Sequence, residues 1–77
     1  MVKFSIIIPA GPDRNIEVKE SLKEVDYPKN KFEVIVKISY NPSKNRNDGV
    51  KEAKGDIIGF LDDDAFVDKN ILKNVEI

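Results

Sequence analysis

Three apolar stretches rich in β-branched residues, each followed by a segment of helical period, constrain this 77-residue chain more than any other feature. Phe4 to Ile8 is ended by Pro9-Ala10-Gly11-Pro12, the pattern of a buried strand with a loop behind it. Val18, Leu22 and Val25 then fall at i, i+4 and i+7 of a helix that Asp13 or Asn15 can cap and Tyr27-Pro28 ends. Phe32, Val34, Val36 and Ile38 alternate with Glu33 and Lys37, as in a strand with one partly wet face. Asn41-Pro42-Ser43 reads as turn and cap for a helix from about Lys44 to Lys54, closed by Gly55. Ile57 to Leu61 shows no alternation and is expected to be a third strand, buried on both faces. Asp68 can cap a last helix carrying Ile71, Leu72 and Val75. The order β-α-β-α-β-α predicts an α/β fold with a small parallel sheet, right-handed crossovers and flanking helices.

Composition removes several kinds of chemistry. There is no cysteine and no histidine, so disulfides, the usual zinc sites and histidine acid–base catalysis are excluded. Any metal must be held by oxygen, which favours magnesium, manganese or calcium. A formal net charge of −1 with both signs interspersed gives no footprint for nucleic acid or an anionic membrane. No stretch approaches the ~20 apolar residues of a membrane span, and the amino-terminal apolar run is too short for a signal peptide. The chain therefore reads as cytoplasmic. Abundant Lys, Glu and Ile without Gln, Thr or Trp hint at a thermophile, although AT-rich coding gives the same bias. A chain this short buries only about 60% of its unfolded surface, so its core is marginal.

The chemistry-bearing motif is Asp62-Asp63-Asp64, directly after the third apolar run. Three successive carboxylates repel one another unless a cation or hydrogen-bond donors offset the charge. In extended backbone Asp62 and Asp64 share a face and Asp63 points away, which makes Asp62 and Asp64 the candidate metal ligands. An isolated acidic triplet is more often a solvated helix cap. Here, however, the loops after all three strands (9–13, 39–43 and 62–67) are expected at the carboxyl edge of the sheet, where open α/β folds bind ligands. The second helix starts at that edge too, and its N-terminus suits phosphate. Arg46 in its first turn can meet phosphate oxygens or neutralise the acidic cluster; the residues alone leave both open. Gly49 inside that helix costs about 1 kcal/mol against alanine and points to a close approach. Tyr40 can stack on a base but reads more simply as half-buried.

Taken together, Ser5-Ile6-Ile7-Ile8-Pro9-Ala10, Arg46-Asn47-x-Gly49 and Ala53-Lys54-Gly55-Asp56-Ile57-Ile58-Gly59-Phe60-Leu61-Asp62-Asp63-Asp64 resemble the nucleotide-sugar half of family-2 glycosyltransferases. The resemblance runs from about Phe4 to Leu72. It implies a Rossmann-like sheet, the amino-terminal half of the GT-A fold, and a single truncated donor-binding domain over residues 1–77. It also implies a nucleotide-diphospho-sugar as partner and Mg²⁺ or Mn²⁺ as cofactor. Pro9, Ala10, Arg46, Asn47 and Asp62 would contact nucleotide or phosphates, and Asp62 and Asp64 the metal. The ion would stabilise charge on the departing nucleoside diphosphate, as in inverting members.

Two departures stand out. The family places an acidic pair after the second strand to read the base, where this chain has Lys37-Ile38-Ser39-Tyr40-Asn41; Ser39 or Asn41 would have to substitute. Family members also run to a few hundred residues, and no residue here can be assigned as catalytic base. The expectation is a donor-binding unit that does not complete transfer alone. The alternative is a non-enzymatic, self-associating module. A three-stranded sheet with thin helical cover should leave apolar surface exposed, so a homodimer or higher homo-oligomer is expected.

Overall fold

The computed structural model describes residues 2–75; Met1, Glu76 and Ile77, within the expected domain span of 1–77, lie outside the described residues. The elements are β1 (Phe4–Ala10), α1 (Val18–Lys23), a 3-10 turn (Lys29–Lys31), β2 (Phe32–Ile38), α2 (Pro42–Glu52), β3 (Ile57–Phe60) and α3 (Ile71–Val75). The sheet order is β2-β1-β3 with both pairings parallel, as the alternating element order requires. No helix among the described residues is long and apolar enough to cross a membrane.

β1 is the central strand, and its alternation builds both layers. Phe4, Ile6 and Ile8 point into a buried cluster with Val18, Leu22 and Val25 from α1 and its exit, Val67 from the loop before α3, and Leu72 from α3 itself. Ile7, fully buried, points to the other face and meets α2 at Gly49. A Cβ at Gly49 would sit 2.5 Å from Ile7 Cγ2, so the glycine lets the helix lie close on the sheet.

Several local expectations are corrected. α1 begins at Val18 after Glu17, with no side-chain cap, so neither Asp13 nor Asn15 caps it. α2 starts at Pro42, and Asn41 caps it, its Oδ1 accepting from Lys44 N at 3.1 Å. It ends at Glu52, so Gly55 is no helix cap. Gly55 instead runs against β1, where a Cβ would fall 2.7 Å from Phe4 C and Ser5 N. β3 was expected to be buried on both faces, yet all four of its residues are exposed. It is an edge strand with only α3 beside part of it, so its apolar run marks surface rather than core.

At the amino end of the sheet a polar knot ties three segments together. Glu33 Oε2 on β2 accepts from Ser5 Oγ on β1 (2.6 Å) and from Lys54 N (2.7 Å), and Ser5 Oγ accepts from Gly55 N (2.8 Å). The Ser5 hydroxyl foremost, then the Lys54 N–H, hold the Glu33 carboxyl below its ordinary value of 4.5. A depressed folded pKa means the stabilisation is full above the unfolded value and lost as pH falls through the folded one. Glu33→Gln should therefore lower stability at neutral pH and flatten the acid limb below pH ~4.5, read by urea unfolding across pH. Gly49→Ala should cost about 1–3 kcal/mol, the opposite sign to an exposed helix site, because Ile7 has no room to move; thermal unfolding measures it.

Candidate functional site

The three loops that follow the strands do converge at the carboxyl edge. Ser39 N donates to Ala10 O (3.1 Å) and Leu61 N to Ile7 O (3.0 Å), which carries the parallel pairing to the strand ends. A depression of about 280 Å³ opens there. Pro9, Ala10 and Gly11 line it from β1, Ser39 and Tyr40 from the end of β2, and Asp62 from the end of β3. The first turns of α2 close it with Pro42, Asn45 and Arg46.

The structure brings Pro9, Ala10, Arg46 and Asp62 to this one depression, and leaves Asn47 and Asp64 outside its lining. Asn47 is exposed on α2, about 100° around the helix from Arg46. Arg46 is exposed and has no ion pair among the described residues. Tyr40 is 81% exposed rather than half-buried, because it follows the last residue of an edge strand; its hydroxyl lies 3.5 Å from Asp13 Oδ2. Much of the N-terminus of α2 is already satisfied. Pro42 has no N–H, and Asn41 takes the N–H groups of Lys44 and Asn45. That leaves the Ser43 N–H and the Arg46 guanidinium for an anion.

Asn45 escaped the sequence reading. It is 3% exposed, and its Nδ2 donates to Ala10 O (3.2 Å) and Ser39 O (3.3 Å) while Oδ1 accepts from Ser39 Oγ (2.6 Å). One amide thus fastens the ends of β1 and β2 to α2 and sets the shape of the depression. Its only signal in sequence is its spacing, i, i+4 before Gly49, on the inward face of the helix.

The acidic triplet is a turn rather than extended backbone, closed by Ala65 N donating to Asp62 O (3.1 Å), and its second and third carboxylates meet a partner the sequence did not give. Asp62 and Asp64 are exposed, and Asp63 is buried. Asp63 Oδ1 accepts from Arg14 Nη2 at 3.0 Å, and Asp64 Oδ2 lies 3.8 Å from the same nitrogen. Asp63 O also accepts from Val18 N, joining the loop to the start of α1 (3.0 Å). The neutralising cation is therefore Arg14, and Arg46 is left facing the depression. Arg14 went unnoticed because 49 residues separate it from Asp63.

Among the described residues no group of three or more His, Cys, Asp or Glu is arranged to hold a metal ion by itself. A magnesium-type ion asks for less, one or two protein carboxylates with water and substrate phosphates completing the shell; of the two exposed carboxylates Asp62 lines the depression, while Asp64 lies 3.8 Å from Arg14 Nη2.

Comparison with known proteins bears directly on this arrangement. Residues 11–75 match the family model described as glycosyl transferase family 2. The chain is also similar to the poly(ribitol-phosphate) beta-N-acetylglucosaminyltransferase TarS of Staphylococcus aureus, strains Mu50 and MW2. Identity is 31% over 104 aligned positions, covering 96% of this chain. The chain spans 18% of the length of these curated relatives. Since 96% of 77 residues is about 74, about 30 of the 104 aligned positions hold a residue of the relative and none of this chain. No solved structure matches the chain.

The Arg14–Asp63 pair gives a direct test of the loop's electrostatics. Arg14→Met should cost about 1–2 kcal/mol, since it strands a buried carboxylate between two others while the arginine itself is half solvated. Adding Asp63→Asn should return most of that loss. Chemical unfolding of the two single variants and the double variant measures the coupling.

Proposed function

Because the chain belongs to glycosyl transferase family 2, we propose that it binds a nucleotide-diphospho-sugar in the depression at the carboxyl edge of its sheet, through a divalent cation. The observation that carries this reading is Arg46, an unpaired guanidinium, lining the same depression as Asp62 while Arg14 satisfies Asp63. A cation on Asp62, which Asp64 would join by leaving Arg14, and a guanidinium on the other wall would grip a diphosphate between them. When bound, Mg²⁺ or Mn²⁺ would act as a Lewis acid toward the departing nucleoside diphosphate. Arg46 would hold the phosphates, Pro9 and Ala10 would border the nucleoside, and the exposed Tyr40 ring offers a base a stacking face.

The base would be held without a matched hydrogen-bonding edge. Ser39 Oγ donates to Asn45 Oδ1 and Asn41 Oδ1 accepts from Lys44 N, so both substitutes for the family's acidic pair already have internal bonds. Stacking on Tyr40 then dominates, and discrimination between uracil and guanine should be weak, within about tenfold. No side chain at the depression is placed to activate an acceptor, so the reading stops at donor binding, with transfer left to residues beyond this unit.

A second reading, self-association, is favoured by the apolar surface on β3 (Ile57, Ile58 and Phe60) and by Phe66, 87% exposed. The two readings are compatible, and the first is the conclusion here.

The relatives' name makes UDP-N-acetylglucosamine the first donor to try. Amide shifts should be followed with UDP- and GDP-sugars, with and without Mg²⁺. Shifts are expected at Tyr40, Arg46 and the 62–64 loop and should strengthen with the metal. Arg46→Ala should weaken binding about 10- to 100-fold, the loss of a charge-assisted bond. Asp64→Ala should remove the metal dependence and leave the fold intact. If both variants bind as the parent does, the site lies elsewhere.

A further inference from the structure

We propose that β2 pairs antiparallel with β2 of a second copy about a two-fold axis at Ile35, joining two three-stranded sheets into one of six strands. This gives self-association a surface of its own, the β2 edge rather than β3, and is independent of donor binding.

β2 is an edge strand of seven residues. Its inward hydrogen bonds reveal which groups face out. Lys31 O accepts from Lys3 N, and Ser39 N donates to Ala10 O, so the odd-numbered residues turn their backbone groups toward β1. Backbone groups alternate along a strand, so the N–H and C=O of Phe32, Val34, Val36 and Ile38 point outward. The strand holds no proline, and its own lysine, Lys37, is drawn into an ion pair with Glu52 on α2; Lys19, Lys23 and Lys29 stand beside Phe32 and Val34 on the α1 face.

The sequence of the strand is complementary to its own reverse. Antiparallel pairing about Ile35 sets Phe32 opposite Ile38 and Val34 opposite Val36, in both directions. Every outward-facing backbone group then meets a counterpart, whereas a shift of two residues either way leaves some unmatched. On one face only apolar side chains meet, among them Val34 and Ile38, now 37% and 57% exposed. On the other, Glu33 falls opposite Lys37 of the second copy, so the charges that meet are of opposite sign, each also holding its internal partner, Ser5 Oγ for Glu33 and Glu52 for Lys37. β3 competes poorly. By the same alternation it turns only Ile58 and Phe60 outward, and α3 lies beside it.

Sedimentation of the full chain should give a dimer at micromolar concentration. Val36→Pro should make it a monomer that keeps its circular dichroism, since this N–H faces outward and the substitution removes no bond to β1. Ile35→Cys, in a chain with no other cysteine, should oxidise to a covalent dimer, because facing residues of a non-hydrogen-bonded pair lie about 4.5 Å apart. Lys37→Glu with Glu52→Lys keeps the internal ion pair reversed but sets Glu against Glu33, and should weaken the dimer in a salt-dependent way. A parent chain that stays monomeric overturns the proposal. So does a dimer that survives Val36→Pro, or cross-linking by Ile58→Cys in place of Ile35→Cys. Should Val36→Pro unfold the chain, the Ile35→Cys result decides. Nucleotide titration of the Val36→Pro monomer separates this outcome from the fate of the donor-site reading.

Discussion

β1 is hydrogen-bonded to β2 on one side and to β3 on the other, and its side chains are the anchor for both helical layers. Phe4, Ile6 and Ile8 on one face and Ile7 on the other leave no solvent-facing side of that strand. The rest follows from how closely other backbone can approach it. Gly49 lets α2 settle on Ile7, and Gly55 lets the return to β3 pass over Phe4 and Ser5. Ser5 fits the same logic: a buried hydroxyl on β1 is tolerated because it both donates to Glu33 and accepts from Gly55.

The functional edge inherits its geometry from this central strand. Ala10, its last residue, gives its carbonyl to both Ser39 N and Asn45 Nδ2, so the ends of β1 and β2 and the start of α2 are fixed by one acceptor. The acidic loop is fixed separately, by Arg14 reaching across from the loop before α1. Two independent clamps thus hold the carboxyl edge, one neutral and one charged. This division leaves Asp62 and Arg46 as the polar groups of opposite charge on its walls.

Sequence made the element order, the parallel sheet and the Asn41 cap legible, because hydrophobic period and turn chemistry are local signals. It also made the convergence of three loops legible, since parallel topology forces it. What it missed depends on distance or on position within the sheet. Ile57-Ile58-Gly59-Phe60 reads as a core strand by composition, yet whether a strand is central or at an edge is decided by its neighbours, and β3 has one. The Arg14–Asp63 pair joins distant segments, and nothing near either residue announces the other. Asn45 looked like an ordinary polar helix residue. Its two acceptors and one donor come from two other segments, at Ala10 and Ser39, so its burial is visible only once they are assembled.

The placement of the donor site and that of the β2 edge also limit what a dimer could do. The depression lies beyond Ile38, where β2 leaves the sheet, while the other end of the strand, Phe32, follows the 3-10 turn. Antiparallel pairing sets Ile38 of one copy beside Phe32 of the other, so the two depressions would open at opposite ends of the joined sheet. Neither copy could then lend a residue to its partner's site, and self-association would act on stability rather than on ligand contacts. For a chain whose core is essentially one strand's side chains and the helices laid on them, that is a substantial effect. Pairing the outward groups of β2 and burying Val34 and Ile38 adds apolar contact where a domain this small has least to spare. The site needs only a rigid carboxyl edge, and the edge is rigid only as far as the sheet behind it is.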